Sequence, residues 1–200
     1  MAITVPEGYS SKMDIRATQV AIKEVKDFFE RVLADELNLT RVSAPLFVKP
    51  ESGLNDNLNG VERPVSFDIK DEGQIVEIVQ SLAKWKRYAL KQYDFKAGEG
   101  LYADMTAIRR DEDTDNLHSV YVDQWDWEKV IDRENRNVET LRETVCRVFN
   151  ALKRTETYLS EKYDFLEPIL PEKISFISSQ ELLDMYPGLE PKEREREYVK

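Results

Sequence analysis

Polar side chains that could bind a charged metabolite are concentrated between Ser81 and Glu128. The segment Val120-Tyr-Val-Asp-Gln-Trp-Asp-Trp127 has the alternation of a β-strand, which places Gln124 and Asp126 on one face and the tryptophans on the other. A carboxylate and an amide two residues apart can jointly bind an ammonium group and a carboxylate, the two charged groups of a free amino acid. The alternative is a solvated sheet face. The tryptophans are predicted to be core residues.

A lysine-rich helical turn precedes this strand. On the predicted helix, Lys86 shares a side with Ala83 and Leu90, which directs it toward a partly buried pocket. Lys84 and Arg87 lie on another side and can remain in water. A compact ammonium group held near apolar walls is suited to binding a substrate carboxylate. The alternative is a basic turn on the protein surface.

A charged loop, Arg109-Arg-Asp-Glu-Asp113, follows the next predicted strand. A guanidinium fork matches phosphate oxygens, and nearby acids can orient the arginine or a metal-bound pyrophosphate. The alternative is an ordinary charged hairpin loop. The spaced aspartates also imitate the start of a calcium loop, but Asn116 replaces its glycine and Val122 its final glutamate, which excludes that site.

Other polar features are predicted to be structural. Asn55-Asp-Asn-Leu-Asn-Gly60 is a polar turn with a glycine exit. His118, the sole histidine, and Cys146, the sole cysteine, are also predicted to have structural roles. The sequence contains no glycine-rich phosphate-binding motif, so any nucleotide site must use another architecture.

Composition favours one cytoplasmic domain over residues 1–200. The net charge of −10, from 29 basic and 39 acidic residues, disfavours nucleic-acid binding. A single cysteine excludes an intrachain disulfide and, with one histidine, disfavours a zinc site. The N-terminus lacks a signal-peptide pattern and no apolar run could span a membrane.

Periodicity predicts an α+β fold, with a mainly antiparallel sheet flanked by helices. The first predicted helix begins after Asp14, which caps it, and the last begins at Glu190 and is still running at Lys200. The predicted helices between them are Ser81–Gln92, Val138–Tyr163 and Gln180–Met185. The predicted strands are Thr40–Val48, interrupted by Pro45, and Gln74–Val79, Leu101–Ile108, Ser119–Trp127 and Ile174–Ile177.

Three segments of the sequence together resemble the ammonia-dependent asparagine synthetases, also called aspartate–ammonia ligases. These segments are Ser81–Arg87, Gly98–Tyr102 and His118–Glu128. That family shares the catalytic fold of class II aminoacyl-tRNA synthetases. The resemblance runs from about Asp14 to Lys200. It implies that the Asp14–Pro45 region corresponds to class II motif 1 and forms a homodimer interface, and that residues 102–128 correspond to motif 2.

The resemblance also implies roles for individual residues. The family's substrate-binding positions fall on Asp56, Ser81, Lys86, Arg109, Gln124 and Asp126. Lys86 would bind the α-carboxylate of aspartate, and Asp126 with Gln124 its α-ammonium. Arg109 and Asp56 would be catalytic, with Asp56 helping to place ammonia. The implied nucleotide-binding residues are Arg109, Arg110, Glu112 and Ser119, and either arginine could contact the α-phosphate. No metal ligand is assigned within this chain.

The implied chemistry has two steps. The β-carboxylate of L-aspartate attacks the α-phosphorus of ATP, accompanied by Mg²⁺, to give β-aspartyl-AMP and pyrophosphate. Ammonia then displaces AMP and gives asparagine. The protein's task is to align the reactants and to neutralise developing phosphate charge.

The sequence departs from the family pattern in one respect: no class II motif 3, with its ATP-binding arginine, follows Lys200. These 200 residues therefore resemble the N-terminal part of the family, and on their own are expected to be a poor enzyme. An alternative is a shortened, non-catalytic paralogue that dimerises or binds a metabolite. A third possibility, a tRNA-charging relative, is disfavoured by the acidic charge balance.

Overall fold

The computed structural model describes residues 4–56, 58–70 and 73–199. Their α-helices are, in order, α1 (Ile15–Leu37), α2 (Ala83–Gln92), α3 (Val138–Lys162), α4 (Ser179–Met185) and α5 (Pro191–Tyr198). Their strands are β1 (Leu39–Arg41), β2 (Phe47–Val48), β3 (Ser66–Ile69), β4 (Gln74–Ile78), β5 (Gly100–Ile108) and β6 (Tyr121–Lys129). The chain divides after Pro168 into two compact units. The prediction of a single domain over residues 1–200 stays a prediction.

Helix α1 begins where the sequence predicts. The carboxylate of Asp14 accepts a hydrogen bond from the Ala17 backbone N–H at 2.7 Å, which satisfies one of the unpaired amides at the helix start. Asn38 follows the helix in the left-handed conformation, with φ of 58°, which asparagine tolerates better than most residues. The residues that α1 buries are Ala21, Val32, Leu33 and Leu37.

The first sheet has the order β1-β5-β6. Strand β5 is parallel to β1 and antiparallel to β6. In the β5–β6 register Met105 lies opposite Gln124 and Ala103 lies opposite Asp126. The two polar residues therefore share a sheet face with small and apolar residues of β5, and that face packs against α2.

Gly100 allows the strands of this sheet to approach closely. A Cβ atom at this position would lie 2.6 Å from the Glu128 carbonyl oxygen and 2.6 Å from a Leu39 methyl group. Both distances are far below van der Waals contact, so a side chain would force β1 and β6 apart. The glycine thus helps to set the position of β6, which carries the candidate binding residues.

The second sheet is antiparallel, with the order β2-β4-β3. The prediction of one strand over Thr40–Val48 is wrong, because β1 and β2 belong to different sheets. Pro45 lies between them, where it has no amide to donate to a ladder, and the chain changes sheet there. The prediction for β4 was correct to within one residue, whereas β3 was not predicted.

Helix α2 and strand β5 form the first hydrophobic core. The fully buried side chains at its centre are Leu82, Ala89, Leu101, Ala103 and Ala107. The second core lies on the opposite face of the first sheet, between α1 and α3, and includes Trp127. Trp125 packs against Phe29, with ring centroids 5.2 Å apart. The prediction of a core position is thus confirmed for Trp127, whereas Trp125 is half-buried beside the core.

The second unit, which begins at Ile169, contains two short helices with capping boxes, N-capped by Ser178 and Glu190. One prediction for this unit is wrong. Residues 174–177 form no strand, because no neighbouring strand in the described chain pairs with them. Helix α5 ends at Tyr198, where the Val199 backbone N–H donates a 3.3 Å hydrogen bond to the Glu195 carbonyl. Lys200, where the helix was predicted to be still running, lies outside the described residues.

The predicted α+β class with mainly antiparallel sheets is confirmed by these elements. None of the helices in the described residues has the length and apolar character that a membrane span requires.

Candidate active site

Lys86 is the most deeply buried charged residue of the site. It lies on the face of α2 that packs on the first sheet, and only 2% of its side chain is exposed. Its neighbours Lys84 and Arg87 are exposed. The helical spacing therefore predicted correctly which cation points inward, and the alternative of a basic surface turn holds only for its neighbours.

The ammonium group of Lys86 is fully engaged by strand β6. It forms an ion pair and hydrogen bond with Asp126, and it donates to the Trp127 carbonyl oxygen at 3.0 Å. A second carboxylate, Glu128, lies 3.7 Å away. Burying an ammonium group is costly unless charge and hydrogen bonds compensate, and these three groups provide both.

Both carboxylates beside Lys86 remain accessible to a ligand. The exposed fractions of the side chains are 29% for Asp126 and 27% for Glu128. Gln124 lies on the same face two residues earlier, and its amide nitrogen is 3.1 Å from the sulfur of Met105. A free amino acid could insert between these groups, with its carboxylate on Lys86 and its ammonium on Asp126. The solvated sheet face considered from sequence does not describe this face, because the core of α2 and β5 adjoins it.

Ser81 lies at the start of α2 and has a local role. Its hydroxyl oxygen accepts a hydrogen bond from the Ala83 backbone N–H at 3.2 Å, which helps to begin the helix. Helix α2 starts at Ala83, two residues later than predicted. Ser81 thereby helps to fix the helix that carries Lys86.

The loop between β5 and β6 lines a second part of the site. Together with the segment around Gln80, it encloses a cavity of about 510 Å³. The residues around this cavity are Leu58, Asn59, Glu62, Gln80, Arg109, Arg110, Asp111, Glu112 and His118. Three predicted nucleotide-binding residues are thus brought together, whereas Asp56 and Ser119 are not among the described residues that line it.

The two adjacent arginines of the loop differ in environment. Arg110 is exposed, whereas Arg109 is half-buried, and its Nε is buried without a hydrogen-bond partner in the described chain. The carboxylate of Glu112 lies 3.7 Å from the Arg109 guanidinium and can orient it. Arg109 is therefore the better placed of the two to bind a phosphate group inside the cavity.

Asp111 is held by an arginine that sequence reasoning did not identify. The backbone N–H of Arg63 donates to it at 2.9 Å, and the Arg63 guanidinium forms a two-pronged ion pair with it. These bonds lower the pKa of Asp111 to about 2. Arg63 thus ties the segment before β3 to the loop that carries Arg109. Local periodicity gives no signal for a pair so distant in sequence.

His118 is paired with Asp115 at the edge of the cavity. The Asp115 carboxylate accepts hydrogen bonds from the Leu117 and His118 backbone N–H groups at 2.7 and 2.8 Å, and the imidazole Nδ1 lies 2.9 Å away. Mainly through the backbone bonds, the pKa of Asp115 falls to about 2. The predicted structural role of His118 agrees with this arrangement, and Ser119 follows it on the exposed part of the loop.

The pairing gives a pH prediction. The pKa of His118 is raised above its ordinary value, mainly by the hydrogen bond to Asp115 and to a smaller extent by the negative charge of that carboxylate. The pairing should therefore stabilise the loop fully below the unfolded-state pKa of histidine and lose this effect as the pH rises through the higher folded-state value. NMR titration of the single imidazole should show a raised midpoint.

The matched variants are Asp115→Asn, which retains an oxygen for the backbone amides, and Asp113→Asn as the control. Asp115→Asn should lower the titration midpoint of His118, and Asp113→Asn should leave it nearly unchanged. An unchanged midpoint in the Asp115 variant would show that the pairing is absent in solution.

Asn55 fixes the turn that carries Asp56. Its side-chain amide donates to Glu77 at 3.1 Å, and its side-chain oxygen accepts from the Gln80 backbone N–H at 2.9 Å. Lys84 donates to the Asn55 carbonyl at 3.2 Å. Residues 58–60 of the predicted polar turn do form a turn, whereas Asn57 lies outside the described residues. Asn55 is buried, which the sequence pattern did not reveal. Asp56 is half-buried directly after this anchor.

The described residues contain no group of three or more histidine, cysteine, aspartate or glutamate side chains arranged to hold a metal ion.

The sequence matches a known protein family. The family model for aspartate-ammonia ligase matches residues 16–200. The chain belongs to this family. An aspartate–ammonia ligase from Ruminiclostridium cellulolyticum is 65% identical over 98% of this chain and 58% of its own length. One from Clostridium perfringens is 63% identical over 96% of this chain and 57% of its own length. The chain thus spans somewhat more than half the length of these members of the family.

Two solved structures with a similar fold are related to tRNA synthetases. One is an ATP phosphoribosyltransferase regulatory subunit/histidyl-tRNA synthetase from Bacillus halodurans, with a TM-score of 0.50 and 14% identity over 76% of this chain and 40% of its own. A pyrrolysyl tRNA synthetase from Desulfitobacterium hafniense has a TM-score of 0.50 and 11% identity over 70% of this chain and 48% of its own. At these identities the shared property is the fold, which is that of class II synthetases.

Proposed function

We propose that the protein joins ammonia to L-aspartate in an ATP-dependent reaction that yields L-asparagine, AMP and pyrophosphate. Membership of the aspartate-ammonia ligase family supports the reaction class. The observation that carries the assignment to this site is the buried Lys86 ammonium, paired with Asp126 on the face that also presents Gln124. A cation and a partly exposed anion side by side match a zwitterionic amino acid.

Aspartate is proposed to bind by exchanging partners with this ion pair. Its α-carboxylate takes the place of Asp126 on Lys86, and its α-ammonium binds Asp126 together with the side-chain oxygen of Gln124. Charge-assisted hydrogen bonds replace one another in this exchange, so neither buried charge loses its partner. Ser81, at the start of α2, completes the aspartate-binding set.

ATP is proposed to bind in the cavity beneath the β5–β6 loop. Arg109 contacts the α-phosphate and the reacting carboxylate, with Glu112 orienting its guanidinium, and Arg110 and Ser119 bind nucleotide from the exposed part of the loop. A guanidinium fork suits phosphate oxygens because two parallel N–H groups bind two oxygens at once. The half-buried position of Arg109 strengthens this contact relative to one in bulk water.

The reaction is proposed to proceed through an acyl adenylate. A β-carboxylate oxygen of aspartate forms a bond to the α-phosphorus, and the bond from that phosphorus to the pyrophosphate oxygen breaks. The ammonia nitrogen then attacks the acyl carbon, AMP leaves with the shared oxygen, and the nitrogen loses a proton. Arg109 offsets the charge that develops on the phosphate and acyl oxygens. Asp56, held in place by Asn55, orients the ammonia.

Mg²⁺ is proposed to enter as the counter-ion of ATP. Magnesium in phosphate-transfer sites is usually bound by one or two carboxylates and by the substrate phosphates. The ATP phosphates would then supply several of the oxygen ligands of the ion.

The protein is also proposed to act as a cytoplasmic homodimer through the Asp14–Pro45 region. Support comes from α1, where the exposed Ile15 and Ile22 are seven residues apart and so lie on one side of the helix. Apolar side chains grouped on an exposed face are typical of protein interfaces. Light scattering on the native protein measures the assembly directly.

The nitrogen source tests the proposed reaction. We expect the protein expressed from its complete gene to form AMP and asparagine from aspartate, ATP and ammonium chloride, because free ammonia is the nitrogen donor of the proposed reaction. The one cysteine of this sequence, Cys146, lies on α3. Product analysis with ammonium chloride or glutamine gives the comparison. Glutamine that supports the reaction as well as ammonium chloride would contradict the proposal, as would formation of ADP in place of AMP.

A further inference from the structure

Gln80 is a buried amide whose side chain has no partner in the described protein. It lies two residues after the end of β4 and is 1% exposed. Its backbone N–H is fixed by Asn55, as described above. Its side-chain nitrogen and oxygen are both buried, yet neither forms a hydrogen bond in the described chain. Leaving a buried donor or acceptor unpaired is unfavourable, so such groups in a native structure call for an explanation.

The position of Gln80 supplies that explanation. Gln80 is one of the residues that line the 510 Å³ cavity, and Arg109 is another. The Nε of Arg109 is likewise buried without a partner. Two unpaired N–H donors thus belong to one concave polar site. Donors that are positioned in advance and not engaged by the protein are suited to an oxygen atom that carries negative charge.

We propose that the amide of Gln80 is a substrate-binding group which, together with Arg109, binds an anionic oxygen of a carboxylate or phosphate ester in this cavity. The amide oxygen of Gln80 is then free to accept an N–H bond from the ammonia that approaches the acyl carbon. A glutamine can do both at once because its amide carries donors and an acceptor side by side. This inference rests on the proposed function and adds a residue to its site.

The variant that tests it is Gln80→Met, which keeps the length of the side chain and removes both polar atoms. Gln74→Met is the matched control, because Gln74 is an exposed glutamine on the same stretch of chain. Thermal unfolding is measured for each protein without ligand, with aspartate, and with ATP and Mg²⁺. Steady-state kinetics with ammonium chloride complete the comparison. The protein is expressed from its complete gene.

We expect Gln80→Met to unfold at the same temperature as the native protein or higher when no ligand is present, because the lost amide had no partner. Its kcat/KM should fall by about tenfold to a hundredfold, the usual scale for one hydrogen bond to a charged group. The stabilisation by aspartate alone or by ATP alone should also shrink, and the ligand affected identifies whether the carboxylate or the phosphate oxygen is bound. Gln80→Glu, which places a negative charge beside that oxygen, should lose more.

Three different results would each contradict a different claim about Gln80 or about the proposed function. A native protein that is active, with Gln80→Met equally active, would overturn the role of Gln80 and leave the proposed function standing. If the Gln80→Met protein without ligand unfolds at a clearly lower temperature than the native protein, and its kcat/KM also falls, Gln80 has a structural role and not a substrate-binding one. A native protein that neither forms asparagine nor is stabilised by aspartate or ATP would overturn the proposed function itself.

Discussion

Replacing Lys86 by methionine is expected to abolish most of the productive binding of aspartate. The substrate α-carboxylate would lose its cation in a place where 2% exposure of the lysine leaves water little access. Truncating one partner of a desolvated charge pair costs about 2–5 kcal/mol. This corresponds to a loss of roughly thirtyfold to several thousandfold in kcat/KM. Steady-state kinetics with aspartate varied at saturating ATP measure the effect.

Lys91→Met is the matched control, because Lys91 is an exposed lysine on the same helix. Exposed charges contribute about 0–1 kcal/mol, so its kcat/KM should be almost unchanged. Lys84→Ala should also cost far less than loss of Lys86, although Lys84 is not entirely free, since it donates to the Asn55 carbonyl. Equal losses in the Lys86 and Lys91 variants would show that Lys86 does not bind substrate.

Replacing Arg109 by lysine should lower kcat more than any other change in the β5–β6 loop. Lysine keeps the positive charge but loses the planar fork that binds two oxygens. Removing a preorganised donor from a developing oxyanion typically costs about a hundredfold to a thousandfold in kcat. Arg110→Lys is the control, because Arg110 is adjacent and exposed. A larger loss in the Arg110 variant would assign the α-phosphate to Arg110, the alternative that the sequence left open.

Local spacing was sufficient to predict the groups that lie on one helix or one strand. Helical geometry placed Lys86 inward, and strand alternation placed Gln124 and Asp126 on a common face. The same alternation extended by two residues includes Glu128, which was not assigned although its carboxylate lies 3.7 Å from Lys86. The pattern contained that signal because β6 continues to Lys129.

Contacts between distant segments could not be predicted in this way. Arg63 and Asp111 are 48 residues apart, and no periodicity links a residue before β3 to a loop after β5. Gln80 directly precedes Ser81, yet its burial depends on how the Asn55 turn closes over the end of β4. The direct pairing of Lys86 with Asp126 depends on how α2 packs on β6. These features arise from tertiary packing, which a single sequence does not specify locally.

The path of one carboxylate oxygen tests the central claim, that aspartate is activated as its adenylate in this site. Aspartate whose β-carboxylate is labelled with a heavy oxygen isotope is converted with ATP and ammonium chloride, and the AMP and pyrophosphate are analysed by mass spectrometry. Attack of the carboxylate on the α-phosphorus leaves one labelled oxygen in AMP. We predict labelled AMP and unlabelled pyrophosphate. Unlabelled AMP formed along with asparagine would contradict an acyl-adenylate route.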